Sequence, residues 1–318
     1  MNNIAYTIAD IYKIKVTSNC KLDKERLFKN IDDFRRLTIN FEVTDKFSKP
    51  NFEIHLEDSN LQKIVVGKKK ITFFFKINEI YDSTLLPLLY RYAVEILRQQ
   101  SAEYKIHSSS VTKDGKSIVL VADHGGGKST IAYNLCKMGY ELISNDASVT
   151  KKIGDDIIIL RGDTSIRIEE NKSIKSTDKM DLKLAEKTWY DKKIIDKNSI
   201  KVSTKYNKLN YIIFVKIDDF NEFKFRKYDK CNAVQWFRQK YILYQNLSGT
   251  LRGVDLMPLD SNGMILPLVV PKFDSNEMAI NRQNYINNLF EICEVYIIEG
   301  SLDKILKKIN SIVEGVEE

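Results

Sequence analysis

The chain has 318 residues, of which 43% are hydrophobic and 29% are charged, and its formal net charge is +7. These values are typical of a globular protein with one large or two modest domains. The basic residues are scattered and form no long block, so the sequence gives no support for nucleic-acid binding. No apolar run approaches the roughly 18 residues of a membrane-spanning helix, so no membrane association is expected.

The amino terminus and the cysteines bear on the cellular compartment. The first ten residues lack a basic segment and a long apolar core, so no secretory signal peptide is expected. The four cysteines are far apart and never form C-x-x-C, which argues against the common zinc and redox sites. Free thiols of this kind are typical of a reducing compartment, and we expect a soluble cytoplasmic protein.

Residues 1–100 carry no motif that indicates chemistry. Alternating or apolar patterns predict strands at 12–16, 52–56 and 70–76. A helix is expected up to Gln99, after a cap at Ser83 or Thr84. His55 is expected on the surface of its strand, because no metal-ligand spacing accompanies it.

The centre of the sequence has a more specific pattern. A strand is expected at 105–111, followed by a hairpin turn at Asp114-Gly115. A second apolar strand ends at Ala122, three consecutive glycines follow shortly after, and Lys128-Ser129-Thr130 opens a helix. This order and the pattern A-x-x-x-x-G-K-S are typical of a P-loop, with Ala122 in place of the usual first glycine.

The residue types in this loop suit a polyphosphate. Glycines lack a Cβ, so the backbone can bring its N–H groups close to phosphate oxygens. The helix N-terminus adds N–H donors and the positive end of its dipole. Lys128 is expected to reach the β- and γ-phosphates, and the Ser129 hydroxyl to complete a Mg²⁺ site. The residues expected to contact the nucleoside triphosphate are Asp123, His124, Gly125, Gly126, Gly127, Lys128, Ser129 and Thr130.

An acidic residue follows the next predicted strand. That strand, at 141–144, is followed by Asn145-Asp146, and ligands of parallel α/β sheets gather at the carboxyl ends of strands. Asp146 is therefore expected beside the phosphates, close to the glycine loop. Only one helix and one short strand separate it from Lys128, a spacing typical of kinases of small or protein substrates. No N-K-x-D guanine motif follows.

The remaining patterns predict a mixed α/β domain. Strands are expected at 148–151, 157–160, 165–168, 209–217, 223–226 and 294–298. Helices are expected from a cap at Asp229 to Tyr244, from Ser275 to Ile292, and after a cap at Ser301. A partial helix at about 180–189 and an irregular segment at 246–272 complete the prediction.

Three linked pieces of the sequence resemble the HPr kinase/phosphorylase family and, more remotely, ATP-dependent phosphoenolpyruvate carboxykinase. His107 lies on a strand that feeds the hairpin before the glycine loop. Residues 122–129 resemble the family's G-D-S-G-x-G-K-S loop, and residues 139–146 resemble its G-x-x-L-(V/I)-x-D-D element. The resemblance covers residues 104–150, with a fainter match at 294–298. The layout looks closer to stand-alone HPr-kinase-like proteins, some of which act in lasso-peptide maturation.

The resemblance implies a P-loop kinase core with a mixed sheet and flanking helices at 101–318, beside an α/β region of unassigned role at 1–100. It implies transfer of the γ-phosphate of ATP, with Mg²⁺, to a hydroxyl of Ser or Thr in a protein or peptide. It also implies that copies of the chain form a homo-oligomer. The implied catalytic residues are His107, Lys128, Asn145 and Asp146, with Ser129 and Asp146 holding Mg²⁺ and His107 orienting the acidic element.

Two positions depart from the family pattern. Asn145 stands where the family has the aspartate that takes the substrate's proton, and an amide cannot act as that base. His124 replaces a hydroxyl residue in the loop. One reading keeps an active kinase whose proton leaves through His107, Asp123 or Asp146, or leaves late in a loose transition state. A second reading is a regulatory module that binds nucleotide without transfer, and a third is a small-molecule kinase of the shikimate- or gluconate-kinase type.

Overall fold

The computed structural model describes residues 2–45, 47, 49–81, 83–169, 192–194, 200–229, 231–248, 251 and 271–316. The chain forms two compact units, one of Met1–Glu103 with Ser248–Asn281 and one of Tyr104–Leu247 with Arg282–Glu318. The border at Glu103 lies near the predicted one at residue 100, but Ser248–Asn281, predicted within the second domain, groups with the first unit. Separate roles for the two regions stay a prediction. The partial helix predicted at 180–189 lies outside the described residues, as does most of the irregular segment predicted at 246–272.

The first unit is a mixed sheet with helices. Its strands are β1 (Asn2–Ala9), β2 (Tyr12–Ser18), β3 (Glu42–Thr44), β4 (Phe52–Asp58), β5 (Lys63–Val66) and β6 (Lys70–Phe75). Its helices are α1 (Lys24–Leu27), α2 (Ile31–Leu37), α3 (Ile77–Tyr81) and α4 (Leu85–Gln100). Among the described residues the six strands pair in the order β3-β1-β2-β4-β6-β5, with β2 and β6 parallel to β4. The predicted strands and helix are confirmed. The strand β1 gave no sequence signal, because its buried positions include the small or polar residues Ala5, Thr7 and Ala9.

The core of the first unit contains both its sheet and α4. Alternate residues of the central strands point into this core, including Ile54, Leu56, Ile71 and Phe73. Helix α4 is buried at almost every position, and its buried residues are mostly apolar but include Glu95 and Arg98. One of its tyrosines, Tyr92, donates a hydrogen bond to the Pro271 carbonyl at 2.7 Å and packs its ring edge-on against Phe273. The segment around residue 272 therefore covers part of α4.

A buried ionic cluster joins α4 to the turn between β1 and β2. The Arg98 guanidinium donates two hydrogen bonds to one Asp10 oxygen, at 3.0 and 2.8 Å. It also lies 3.5 Å from Glu95, and the Tyr12 hydroxyl donates to Glu103 at 3.2 Å. Asp10 lies in the left-handed region at φ 63°. The Arg98 guanidinium thus stabilises a turn in which Asp10 has an unfavourable backbone conformation.

The prediction that His55 lies on a strand surface is wrong, because β4 is an inner strand of the sheet. His55 is only 4% exposed, and its Nδ1 lies 2.8 Å from the Thr17 hydroxyl on β2. Burial lowers the pKa of His55 from its ordinary value, and the positive charge of Lys70 acts in the same direction. The carboxylates of Glu53 and Glu57 oppose this shift. The folded state therefore favours the neutral imidazole.

The stability of the first unit is expected to fall as the pH drops below about 6.5, the ordinary pKa of histidine. The unfolded chain takes up a proton on His55 near that pH, whereas the folded chain binds one only at lower pH. Acid therefore favours the unfolded state. Thermal unfolding at about pH 7.5 and about pH 5 checks this with His55→Asn, which does not titrate in that range. The variant should lose less stability on acidification, and equal losses in both proteins would contradict the prediction.

The second unit is built on a larger mixed sheet. Its strands are β7 (Tyr104–Ile106), β8 (Ser109–Lys113), β9 (Lys116–Val121), β10 (Glu141–Ser144), β11 (Ser148–Ile153), β12 (Asp156–Gly162), β13 (Arg167–Glu169), β14 (Lys192–Ile194), β15 (Asn207–Ile217), β16 (Lys224–Lys227) and β17 (Glu294–Gly300). Its helices are α5 (Lys128–Lys137), α6 (Ala233–Ser248), α7 (Asn276–Ile292) and α8 (Leu302–Glu314), although Ser248 and the part of α7 before Arg282 group with the first unit. The strands β13 and β14 form a separate antiparallel pair.

The strand order of the larger sheet explains where its ends meet. Among the described residues the order is β10-β8-β9-β15-β12-β11-β7, and β17 pairs with both β15 and β16. Two short connections join strands near opposite ends of this order. Residues 107–108 connect β7 to β8, and residues 145–147 connect β10 to β11. The sheet therefore curls until its two ends meet at these connections.

Both faces of the central strands are buried. Ile118 and Leu120 of β9 belong to one core with residues of α5 and α8. Val119 and Val121 belong to another core with residues of α6 and α7. A strand covered on both faces has a continuous apolar sequence, which is what this stretch shows. The prediction of a mixed α/β fold with flanking helices is confirmed. None of the helices in the described parts of the chain is long and apolar enough to span a membrane.

Two local predictions for this unit are wrong. The single strand predicted at 105–111 is broken at residues 107–108, because β7 pairs with β11 whereas β8 pairs with β9 and β10. The cap of α6 is Asn232, whose side-chain oxygen accepts from the Gln235 N–H at 3.2 Å. Asp229, the predicted cap, instead accepts from the Cys231 N–H at 2.8 Å in the preceding turn.

Candidate active site

The candidate site lies where two parallel strands end. The strands β9 and β10 are both antiparallel to β8, which lies between them, so they run in the same direction. Their carboxyl ends therefore lie at the same edge of the sheet, where ligands of α/β folds bind. Residues 122–127 follow β9, and Asn145-Asp146 follow β10. The topology brings the two predicted parts of the site to one edge.

The loop after β9 depends on its glycines. Gly125 has φ 76° and Gly127 has φ 98°, in the left-handed region that side chains with a Cβ disfavour. A Cβ on Gly126 would lie 2.7 Å from the Ala122 Cβ, which is too close. The Gly126 carbonyl accepts a hydrogen bond from the Ile217 N–H at 3.1 Å. The three glycines thus allow a tight loop that packs on the end of β15.

Lys128 occupies the first turn of α5 and is only 8% exposed. Its ammonium donates to the Ala122 carbonyl at 3.0 Å, so the side chain folds back over the loop. The N-cap residue is Gly127, which has no side chain to cap the helix, and the first turn contains no acidic residue. A cation at a helix N-terminus is unfavourable for the helix dipole. The local sequence therefore leaves this end of α5 suited to an anion.

His107 and Asp146 form a pair across the two short connections. The His107 Nδ1 lies 3.5 Å from an Asp146 carboxylate oxygen, with 41% and 53% of the two side chains exposed. Asp146 has φ 64°, which is uncommon for a residue other than glycine. Burial lowers the pKa of His107 and the Lys128 charge lowers it further, while Asp146 opposes the shift. The site therefore combines a cation, a carboxylate and an imidazole that stays neutral at lower pH than usual.

Asn145 lies beneath this pair and is 2% exposed. Its side-chain oxygen accepts from the Ser109 hydroxyl at 2.7 Å, and its side-chain nitrogen donates to the Ser165 carbonyl at 2.9 Å. Its backbone N–H donates to the Asp163 carbonyl. Both ends of the amide are thus engaged inside the protein.

Four buried serines surround the turn at residues 145–147, and the sequence motifs did not indicate them. Ser148 lies at the centre of this serine cluster: it accepts from the Ser108 hydroxyl at 2.7 Å and lies 2.6 Å from the Ser144 hydroxyl and 3.1 Å from the Ser110 hydroxyl. All four side chains are inaccessible to solvent. Their hydroxyls form hydrogen bonds between β8, β10 and β11 where the two ends of the sheet meet. The run Ser108-Ser109-Ser110 before the glycine loop was the one available signal.

Gly162 is expected to tolerate no side chain, because a Cβ there would overlap the Ala147 carbonyl and the Ser144 side chain. Gly162→Ala should lower stability by about 1–3 kcal/mol through overpacking. The unfolding temperature of the full chain measures this loss. Gly154→Ala is the matched control at the other end of the same hairpin, where φ is +60° but nothing lies within 4 Å. Gly154→Ala should lose only the cost of a Cβ at a left-handed φ, about 1 kcal/mol. If Gly162→Ala kept the unfolding temperature of the wild type, the close packing at this turn would be contradicted.

The other predicted residues vary in exposure. Asp123, His124 and Gly125 are exposed, whereas Ser129 and Thr130 are half-buried. The Asp163 side chain accepts from the Ser165 N–H at 2.9 Å and so supports a turn. The catalytic, nucleotide-binding and metal-binding roles of the predicted residues stay predictions.

A Mg²⁺ ion fits the donor set at this edge. The described residues contain no group of three or more His, Cys, Asp or Glu side chains that could hold a metal by themselves. Mg²⁺ is usually held by one or two carboxylates together with substrate phosphates and water. The exposed carboxylate of Asp146 and the hydroxyl of Ser129 at the start of α5 match that requirement.

The fold and site define an α/β protein with a glycine-rich loop between a buried strand and a helix. Comparison with known proteins gives a more particular resemblance. Over 69 residues, which are 21% of this chain and 20% of the relative, the sequence is 32% identical to HPr kinase/phosphorylase of Prosthecochloris aestuarii (strain DSM 271 / SK 413). This match supports the HPr-kinase-like relationship predicted from the motifs. The matched segment spans only a fifth of that relative.

No family model matches the chain. Among solved structures, the Hpr(Ser) kinase/phosphatase from Coxiella burnetii matches with a TM-score of 0.32 and 11% sequence identity. The match covers 66% of this chain and 94% of that structure.

Proposed function

We propose that the chain is a kinase that uses ATP and Mg²⁺ and transfers the γ-phosphate to a hydroxyl group. The observation that carries this proposal is the meeting of three groups at one sheet edge. These are the glycine loop with Lys128, the carboxylate of Asp146, and the imidazole of His107. Phosphoryl transfer depends mainly on positioning and on electrostatic stabilisation of the phosphoryl oxygens, and these groups suit both tasks.

The proposed roles follow from the chemistry of each group. The loop N–H groups and Lys128 bind the phosphates, since the start of α5 is an anion site without an acidic side chain. Ser129 and Asp146 hold Mg²⁺, which would neutralise charge on the phosphates. His107 orients Asp146 and is the proposed acceptor of the hydroxyl proton. Its lowered pKa supports this role, because a proton acceptor must be neutral at the working pH.

The proposed acceptor is a Ser or Thr hydroxyl of a protein or peptide. HPr kinase/phosphorylase, the relative matched over 69 residues, is named for a protein substrate, which supports a protein acceptor for this chain. A small metabolite is the alternative acceptor. A cytoplasmic location and a homo-oligomeric state stay predictions.

A second candidate is a module that binds nucleotide without transferring phosphate. The specific observation in its favour is Asn145, which cannot act as a base and whose amide is engaged by two partners. In that case His107 would only orient Asp146. The two candidates differ in turnover and not in nucleotide affinity.

Mg²⁺–ATP binding and phosphate transfer test the proposal together. Calorimetry with a non-hydrolysable ATP analogue and Mg²⁺ should show one site per chain. Labelled ATP is then offered with HPr, with peptides encoded near the gene, and with a set of small alcohols. Label on a Ser or Thr residue supports the kinase, and binding without transfer to any acceptor supports the module. Absence of nucleotide binding would reject both.

A further inference from the structure

We propose that Asn145 is a positioning residue that holds Asp146 in place, and that it is not a weakened catalytic base. This inference rests on the proposed function, because Asp146 matters as a ligand of nucleotide-bound Mg²⁺. The hydrogen bonds of the buried Asn145 side chain determine the direction in which the exposed Asp146 carboxylate points.

The partners of Asn145 require an amide. The Ser165 carbonyl can only accept a hydrogen bond, so the group facing it at 2.9 Å must donate. An ionised aspartate offers no donor and would place a carboxylate oxygen against that carbonyl in a buried position. On the other side the Ser109 hydroxyl donates to the Asn145 oxygen at 2.7 Å. An asparagine fits this position because it donates on one side and accepts on the other.

The backbone around Asn145 is joined to the segment 163–165 by further bonds. The Asn145 N–H donates to the Asp163 carbonyl, and the Asp163 N–H donates to the Ala147 carbonyl at 3.3 Å. The Asp163 side chain in turn accepts from the Ser165 N–H at 2.9 Å. These hydrogen bonds therefore join the segment 163–165 to the residues on both sides of Asp146.

The hydrogen bonds between residues 145–147 and the segment 163–165 constrain Asp146. Its φ of 64° is a sparsely populated conformation that persists only when the surroundings determine it. The residues on either side, Asn145 and Ala147, both bond to Asp163, so the surroundings of Asp146 meet that condition. Its carboxylate then points outward to within 3.5 Å of His107. Loss of the Asn145 amide bonds is expected to release this turn and to weaken the metal site.

The test compares Asn145→Asp with Ser109→Ala in the full chain. With a fixed concentration of a non-hydrolysable ATP analogue, Mg²⁺ is titrated by calorimetry, and ATP turnover is measured in parallel. Replacement of residues that orient metal ligands costs about 10–100-fold in metal affinity, which is the expected effect of Asn145→Asp. Ser109→Ala should act in the same direction but less, because the bond to Ser165 remains. Turnover of Asn145→Asp should fall and should recover in part at high Mg²⁺.

Asn210→Asp is the matched control for the change of charge. Its side-chain oxygen accepts from the Ser117 N–H at 2.9 Å, and a carboxylate can still accept that bond. It should therefore keep the wild-type Mg²⁺ affinity. An unchanged Mg²⁺ affinity and a higher turnover in Asn145→Asp would overturn the inference, because they would mean that the position needs a base.

Hydrogen–deuterium exchange separates this inference from the proposed function. In nucleotide-free protein, the backbone N–H groups of residues 145–147 should exchange faster in Asn145→Asp and in Ser109→Ala than in wild type. If the wild type binds no Mg²⁺–nucleotide, the proposed function fails while the exchange result still decides the positioning role. Exchange equal to wild type in both variants would overturn that role.

Discussion

Lys128→Met is expected to lower kcat/KM for ATP by about 10²–10³-fold, the usual cost of removing one preorganised donor to a developing charge. Lys128 is buried at the start of α5 and folds over the glycine loop, and methionine keeps its apolar bulk while removing the ammonium donor. Stability should change little, because the variant loses a bond to Ala122 but also removes a cation from a helix N-terminus. A large loss of activity with an intact fold is the signature of a functional residue.

The measurement combines initial rates over a range of ATP concentrations with thermal unfolding of the same samples. Lys137→Met is the matched control, since Lys137 is exposed in the last turn of the same helix and its loss changes the net charge equally. It should keep wild-type rates. If Lys128→Met bound and used ATP as the wild type does, the loop would not be a phosphate site.

Arg98→Met is expected to destabilise the first unit by about 3–5 kcal/mol, the usual cost of breaking a buried ion pair from one side. The side chain of Asp10 is fully buried and receives two hydrogen bonds from Arg98, so the variant leaves a buried carboxylate without its guanidinium. The turn between β1 and β2 should open, because Asp10 holds an unfavourable φ there.

Hydrogen–deuterium exchange in β1, β2 and α4 reports this unit separately from the rest of the chain, and circular dichroism gives the unfolding temperature. The control Arg26→Met removes an exposed arginine that lies over the Tyr81 ring at 4.3 Å, and should cost no more than about 1 kcal/mol. The double variant Asp10→Asn with Arg98→Met should recover part of the loss, because Asp10 is then neutral and only Glu95 still lacks its guanidinium. A double variant no more stable than Arg98→Met would show that the charge of Asp10 does not explain the effect.

Much of the candidate site could be predicted because its signals are local. The glycine loop, Lys128 and Asp146 fall within one strand, one helix and the next strand, where spacing alone places them at one edge. The mixed α/β fold was predictable for a similar reason, since the apolar runs of β9 and β15 are long and continuous. His107 came from the resemblance to a family and not from its surroundings.

What could not be predicted depends on contacts distant in sequence. The role of Asn145 depends on Ser109 and Ser165, and nothing in the local pattern indicates that these residues meet. The burial of His55 depends on β4 having a parallel neighbour on each side. The break at residues 107–108 depends on β7 and β8 having different partners. In each case the deciding fact is strand pairing, which a single sequence specifies only weakly.

The closure of the larger sheet has a mechanical consequence for the His107–Asp146 pair. These residues lie on the two connections that join one end of the sheet to the other, and pairing of β7 with β11 and of β8 with β10 holds the connections side by side. The strand β12 meets β15 through two residue pairs, Ile158 with Lys208 and Ile159 with Asn207, which makes a narrow seam. The β7–β11 and β8–β10 ladders would keep the imidazole beside the carboxylate even if that seam opened. The spacing of this pair is thus set by the strand pairing at the two ends of the sheet.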